Sequence, residues 1–237
     1  MAAPVTPEII AHRGASRECL ENTLAAFDRA LQQRADAIEL DVHATTDGVV
    51  VVHHDPEIRD NRSGHADGTL VIADADFAEL SGWRLLNEEP VPTLDNVLQR
   101  MAGHATVYVE VKGIGIEQHV VDCLARHPNT RTAVHSFDHR IALKMRALCA
   151  DIRTGILSAS YVIDVAHEIK TAQATDFWQQ SALIDAALVR DAHAAGARVI
   201  AWTENNLPHA STLAMLGVDA LCTDIPGALR SAFTTPA

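Results

Sequence analysis

Glu39 and Asp41 stand one residue apart in "AIELDVHA", and Glu110 and Lys112 repeat that spacing in "TVYVEVKG". In an extended strand, residues two apart share a face, so each pair converges on one side of its strand. Two carboxylates this close repel each other unless a proton or a cation lies between them. Oxygen donors suit a hard ion such as Mg²⁺ or Ca²⁺ better than zinc. Glu110 interrupts an apolar run, where a carboxylate is costly to bury without a cation or proton, and is therefore a third candidate ligand. Lys112 beside it is a candidate phosphate contact. "IIAHRGAS" adds His12, Arg13 and Gly14 at another strand end. These residue types offer a proton donor, a bidentate contact for an oxyanion and close backbone approach.

The adjacent His53 and His54 pose a choice, because neighbours in a strand face opposite ways. "ELDVHA" and "VVVVHH" are joined by "TTDG", far too short for a parallel crossover, and Asp47-Gly48 signals a two-residue hairpin. That turn pairs Thr46 with Val49 and sets Asp41 opposite His54. His54 then shares the face of Glu39 and Asp41, and His53 points away. A slip of one residue would reverse the assignment.

The elements that must position these groups are short apolar runs alternating with helical patterns. The runs begin at Glu8, Ala37, Thr106, Thr132, Ile152, Ala174, Ala197 and Asp219. Such alternation predicts βα units around a parallel sheet, and eight strands in this length fit a (β/α)8 barrel. A doubly wound open sheet is the competing architecture, weakened by the lack of a GxGxxG turn after the first strand. Glu39, Asp41, Glu110 and Lys112 lie at C-terminal strand ends, where barrel enzymes place their chemistry. Residues 1–237 read as one domain, with 55–92 inserted over the C-terminal barrel face and a short helix expected within 74–86.

The totals narrow the partners. The 237-residue chain is 48% hydrophobic with a formal net charge of −12, so nucleic acid and anionic membranes are poor partners. An anionic small molecule requires a locally positive pocket or a bound cation. Four scattered cysteines fit no CxxC spacing and read as reduced thiols. The start "MAAPVTPE" has neither the basic nor the apolar part of a signal peptide, so a cytoplasmic protein without stable membrane association is expected.

Taken in order, the motifs HRG (12–14), ENT (21–23), ExD (39–41), HD (54–55), PTL (92–94), ExK (110–112), SF (136–137), WTEN (202–205) and GVDALCTDIP (217–226) resemble the glycerophosphodiester phosphodiesterase family across nearly the whole chain. The resemblance implies a phosphodiesterase-type TIM barrel with an insertion after the HD motif. It implies a divalent metal on Glu39, Asp41 and Glu110, acid/base catalysis by His12 and His54, and phosphate contacts from Arg13 and Lys112. The family's HD histidine maps onto His54. The implied reaction is hydrolysis of a glycerophosphodiester to an alcohol and glycerol 3-phosphate. The family suggests attack by the substrate's own 2-hydroxyl; the residues leave direct attack by water open. Two departures are expected near the pocket rim, where they bear on substrate preference: "PEIRDNRSG" after HD, and Glu204 where the family has a valine.

Two other readings remain open. A lysophospholipase D on the same scaffold needs an apolar groove at the mouth. A non-catalytic phosphometabolite-binding barrel is disfavoured by the presence of both histidines and all three acids. Barrels host many functions, so the fold alone does not decide.

Overall fold

The computed structural model describes residues 6–59 and 68–234. In chain order its strands are β1 (Glu8–His12), β2 (Ala37–Ala44), β3 (Val50–Val52), β4 (Glu57–Arg59), β5 (Thr69–Val71) and β6 (Thr106–Val111). They continue with β7 (Thr132–Ser136), β8 (Arg153–Ser158), β9 (Asp176–Gln180), β10 (Arg198–Trp202) and β11 (Ala220–Thr223). The helices are α1 (Leu24–Gln32), α2 (Phe77–Leu80), α3 (Leu94–Met101), α4 (Glu117–Ala125) and α5 (His139–Leu148), then α6 (Val165–Ala172), α7 (Ala186–Ala194), α8 (Leu207–Leu216) and α9 (Pro226–Thr234).

Strands β1, β2 and β6 to β11 are all parallel, and the β1–β2 pairing closes them into an eight-stranded barrel. The expected (β/α)8 fold is therefore present; every helix but α2 and α9 connects barrel strands, and α9 follows the last of them. Parallel strands buried on both faces must be nearly continuous apolar runs, which is why they stood out in the sequence. Inside the barrel lie Ile10, Ala37, Tyr108, Ala133, Leu157, Trp178, Ile200, Ala220 and Cys222. Outside, two larger apolar clusters fill the space between strands and helices.

The N-terminal end of the barrel is closed by a polar network. The Tyr108 hydroxyl donates to Glu8 and receives hydrogen bonds from Arg153 and Arg198, while Arg153 pairs with Asp176 at 2.8 Å. Burial pushes Asp176 up to about 6 against the pull of Arg153.

The β2–β3 hairpin forms, but one residue out of the expected register. Val42 faces Val52, His43 faces Val51 and Ala44 faces Val50. The loop is three residues long, Thr46 to Gly48, with Gly48 in the left-handed region at φ +81°. Thr45 decides this: its Oγ1 donates to Asp47 Oδ1 at 2.5 Å and accepts from Val49 N at 3.1 Å, which stabilises the longer loop. Such three-residue loops ending in a left-handed residue are a common alternative to the two-residue turn. Strand β3 ends at Val52, and the last ladder hydrogen bond runs from the His53 N–H to the Asp41 carbonyl at 3.0 Å, so strand alternation does not extend to His54.

The insertion folds on a small core of its own, Val51, Ile58, Leu70, Ile72, Leu80 and Trp83 among others. The described part holds the β4–β5 hairpin and a short α2 capped by Asp76, shorter than the helix expected, because Trp83 and Leu85 turn into that core. Residues 60–64 of "PEIRDNRSG" lie outside the described residues.

Candidate active site

The HRG turn after β1 is shaped by steric necessity. Gly14 has φ +84°, and a Cβ there would lie 2.6 Å from the Ala26 carbonyl carbon at the start of α1. Arg13 is itself left-handed at φ +55°, a strain of order 1–3 kcal/mol for a non-glycine residue. That conformation turns the Arg13 N–H onto Glu39 Oε2 at 3.1 Å. Its guanidinium reaches Asp41 Oδ2 (3.1 Å, from Nε) and Glu21 Oε1 (2.9 Å, from Nη1). In ENT, Thr23 caps α1, whereas Asn22 donates to Asp41 Oδ2 at 2.9 Å.

Barrel register brings the other groups together. His12 pairs with Glu39 across β1–β2, Asp41 with Glu110 across β2–β6, and Glu110 with His135 across β6–β7. Paired residues share a face, so these side chains gather at the C-terminal end of the barrel. Lys112 Nζ lies 3.4 Å from Glu110 Oε1 and 3.7 Å from Asp41 Oδ1. The same ammonium donates to His54 Nε2 at 3.1 Å.

His54 thus joins the acidic cluster, while His53 bonds the Asp55 carbonyl instead. The observed register sets His53 opposite Asp41, and the His53 N–H donates to the Asp41 carbonyl at 3.0 Å. His54 arrives because the chain leaves the ladder after His53, and the residue favoured by the hairpin argument faces the site for a different physical reason.

Each histidine is backed by a carboxylate. His12 Nδ1 donates to Asp224 Oδ1 at 2.7 Å, and His54 Nδ1 donates to Asp55 Oδ1 at 2.7 Å. A carboxylate only accepts, so both Nδ1 atoms carry hydrogen and the Nε2 atoms are the ones left for chemistry. Asn205 and Ser16 complete the hold on Asp224. Burial lowers His12, but the Asp224 hydrogen bond and the Glu39 charge outweigh it and leave His12 above its usual value.

The carboxylates carry more negative charge than their neighbours neutralise. Burial would raise Glu39, yet His135, His12 and Arg13 hold it below the ordinary range. Asp41 and Glu110 are pushed up, first by burial and then by a neighbouring carboxylate, Glu39 for Asp41 and Asp41 for Glu110. Asp41 Oδ1 is buried and has no hydrogen-bond partner. An orphaned carboxylate oxygen among two further buried acids fits a divalent cation, which would satisfy it and draw all three pKa values down. Glu39, Glu110 and His135 each offer a ligand atom within 4.8 Å of the others. Asp41 is turned slightly aside, toward Arg13 and Asn22.

All seven residues anticipated from sequence occupy this one region, and six of them line a cavity of about 230 Å³: His12, Arg13, Glu39, His54, Glu110 and Lys112. The opposite wall is apolar, with Phe137 edge-on to Trp202 at 5.3 Å and Trp178 behind. Glu204 departs from expectation. It is buried, accepts from Asn206 N, and pairs with His209 at the start of α8, so it organises that helix end rather than the pocket rim. A second cleft, also about 230 Å³, runs from His54 under the insertion between Leu20, Ile58, Leu85 and Leu86. Asn22, His135 and Asp224 were not among the site residues anticipated from sequence. Asn22 and Asp224 lie inside the ENT and GVDALCTDIP motifs, and His135 is a polar residue of inward parity on a barrel strand.

The glycerophosphoryl diester phosphodiesterase family model matches residues 12–228. A glycerophosphodiester phosphodiesterase of Caldanaerobacter subterraneus is 30% identical over 232 residues, spanning 93% of this chain and 95% of that protein. The structure of an Oleispira antarctica phosphodiesterase with its product sn-glycerol-3-phosphate superposes with a TM-score of 0.85 at 27% identity, covering 97% of this chain and 98% of that one. A Thermotoga maritima glycerophosphodiester phosphodiesterase at 23% identity shares the fold with a TM-score of 0.79, covering 95% and 97%. With the barrel, the acidic cluster and the paired histidines in place, these matches assign the chain to the glycerophosphoryl diester phosphodiesterase family.

Proposed function

We propose that the protein hydrolyses glycerophosphodiesters to an alcohol and glycerol 3-phosphate, using a divalent cation and the His12–His54 pair. One observation carries this reading: two imidazoles, each backed by a carboxylate, line the same cavity as Arg13, Lys112 and the buried acids. Glu39, Asp41 and Glu110 hold the cation. When bound, it supplies Lewis-acid polarisation of a phosphoryl oxygen.

Arg13 and Lys112 bind the remaining phosphate oxygens, Arg13 through the guanidinium hydrogens that Glu21 and Asp41 leave unused. His54 Nε2 accepts from Lys112 in the free site; when the substrate phosphate takes over the Lys112 ammonium, that lone pair is released to take a proton from the attacking hydroxyl. His12, held protonated more readily by Asp224, gives a proton to the departing alcohol oxygen. Proton transfers of this kind contribute roughly 10²–10⁴-fold each. One water is consumed overall, and the phosphate stays with the glycerol. The product bound to the Oleispira relative is consistent with that partition.

The test is product identity. Glycerophosphocholine and glycerophosphoethanolamine should release sn-glycerol 3-phosphate, scored with glycerol-3-phosphate dehydrogenase. Release of phosphocholine would place the broken bond on the wrong side of phosphorus and reject the reading. The apolar cleft under Leu85 and Leu86 keeps one alternative alive, a lysolipid substrate whose acyl chain lies there. That alternative predicts a far higher kcat/KM for lysophosphatidylcholine than for glycerophosphocholine.

A further inference from the structure

His135 has no task in the scheme above, yet its placement is tightly specified. It lies on β7, paired in register with Glu110, and is 2% exposed. Its ring stacks on Trp178 with centroids 4.2 Å apart and planes within 11°. Gly155 on β8 makes that stack possible, since a Cβ there would lie 2.8 Å from Trp178 Nε1 and 3.2 Å from His135 Cβ. The stack leaves Nδ1 buried with no hydrogen-bond partner and aims Nε2 at Glu39 Oε1, 3.6 Å away. That separation is too long for a good hydrogen bond. A buried imidazole with neither nitrogen well satisfied is costly if packing is its only role.

The ligand-atom grouping of Glu39, Glu110 and His135 supplies the missing partner. We propose that His135 Nε2 is a nitrogen ligand of the divalent cation, added to the carboxylates. This rests on the metal-dependent reading given above. It changes what the site selects. Three carboxylates alone suit Mg²⁺ or Ca²⁺, whereas an imidazole in the set favours Mn²⁺, Co²⁺ or Zn²⁺ over Ca²⁺. The tryptophan stack holds the ring in place of the hydrogen bond that usually orients a ligating histidine.

The test uses the full chain loaded with Mn²⁺. Electron spin echo modulation should show ¹⁴N coupling from a directly coordinated imidazole, and calorimetry should show Mn²⁺ bound more tightly than Ca²⁺. His135→Phe keeps a flat ring against Trp178 but removes the donor. It should lose the ¹⁴N coupling and bring the Mn²⁺/Ca²⁺ affinity ratio down about tenfold or more. His12→Gln and His54→Gln should retain the coupling, which keeps the test decisive should the Phe variant fail to fold. Mn²⁺ bound to the wild type without ¹⁴N coupling overturns the proposal while leaving metal dependence intact, as does coupling that survives in His135→Phe or vanishes in His12→Gln. No Mn²⁺ binding at all overturns the metal reading and this inference with it.

Discussion

Replacing Asp224 with Asn probes how His12 is kept fit for proton transfer. The carboxylate accepts from His12 Nδ1 and Asn205 Nδ2, each at 2.7 Å, and from Ser16 Oγ at 3.2 Å. Burial pushes Asp224 up, but those donors and the His12 charge outweigh it and hold the carboxyl down from 3.8 to about 2. At about 1.4 kcal/mol per pH unit this is a net of about 2 kcal/mol, and the His12 hydrogen bond is the largest of the favourable contributions to it. The same interaction favours imidazolium, so its loss lowers His12. An Asn side chain also offers an amide N–H to Nδ1, which favours the tautomer with hydrogen on the wrong nitrogen. A steady-state pH profile of kcat/KM should therefore fall by roughly 10²–10⁴-fold and lose its alkaline limb at lower pH. Folding stability gives a second readout. The folded pKa lies below the unfolded value, so Asp224's contribution is present above about pH 3.8 and lost as pH falls toward 2. The Asn variant should not show that part of the acid transition. Wild-type kcat/KM with an unmoved alkaline limb would refute the reasoning.

Three further outcomes follow from the geometry. His54→Ala should abolish measurable turnover with metal affinity largely kept, while His53→Ala retains most activity; the reverse pattern in the same assay would assign the chemistry to His53. Glu110→Gln removes a buried charge from the cation site and should weaken Mg²⁺ or Mn²⁺ binding by about tenfold or more; unchanged calorimetric affinity would strike Glu110 from the ligand set. Gly14→Ala adds a Cβ against the Ala26 backbone at positive φ and should cost roughly 1–3 kcal/mol or more. A melting temperature equal to wild type would show that the HRG turn can relax.

The barrel was legible because its parallel strands are buried on both faces and so appear as apolar runs at regular spacing. The acids were legible for the complementary reason, since Glu39, Asp41 and Glu110 break those runs at strand ends. The hairpin register was not, because it turns on one side chain: Thr45 bonds within the loop and lengthens it by a residue. The insertion's short helix was over-extended, since periodicity cannot show that Trp83 and Leu85 leave the helix to fill a local core. His135 and Asp224 depend on distant partners, Gly155 and Trp178 in one case and His12 across 212 residues in the other. No local pattern encodes such pairs. Glu204 illustrates the opposite error, for its motif position suggested the pocket while its contacts lie with His209 and Asn206.

The central claim is that the buried acids hold a cation without which the paired histidines do not turn over substrate. The most direct measurement is glycerol 3-phosphate release from glycerophosphocholine by protein stripped with EDTA, then resupplied in turn with Mg²⁺, Ca²⁺ and Mn²⁺. The account predicts release that collapses on stripping and returns with at least one of these ions. Release that continues undiminished in excess chelator would contradict it.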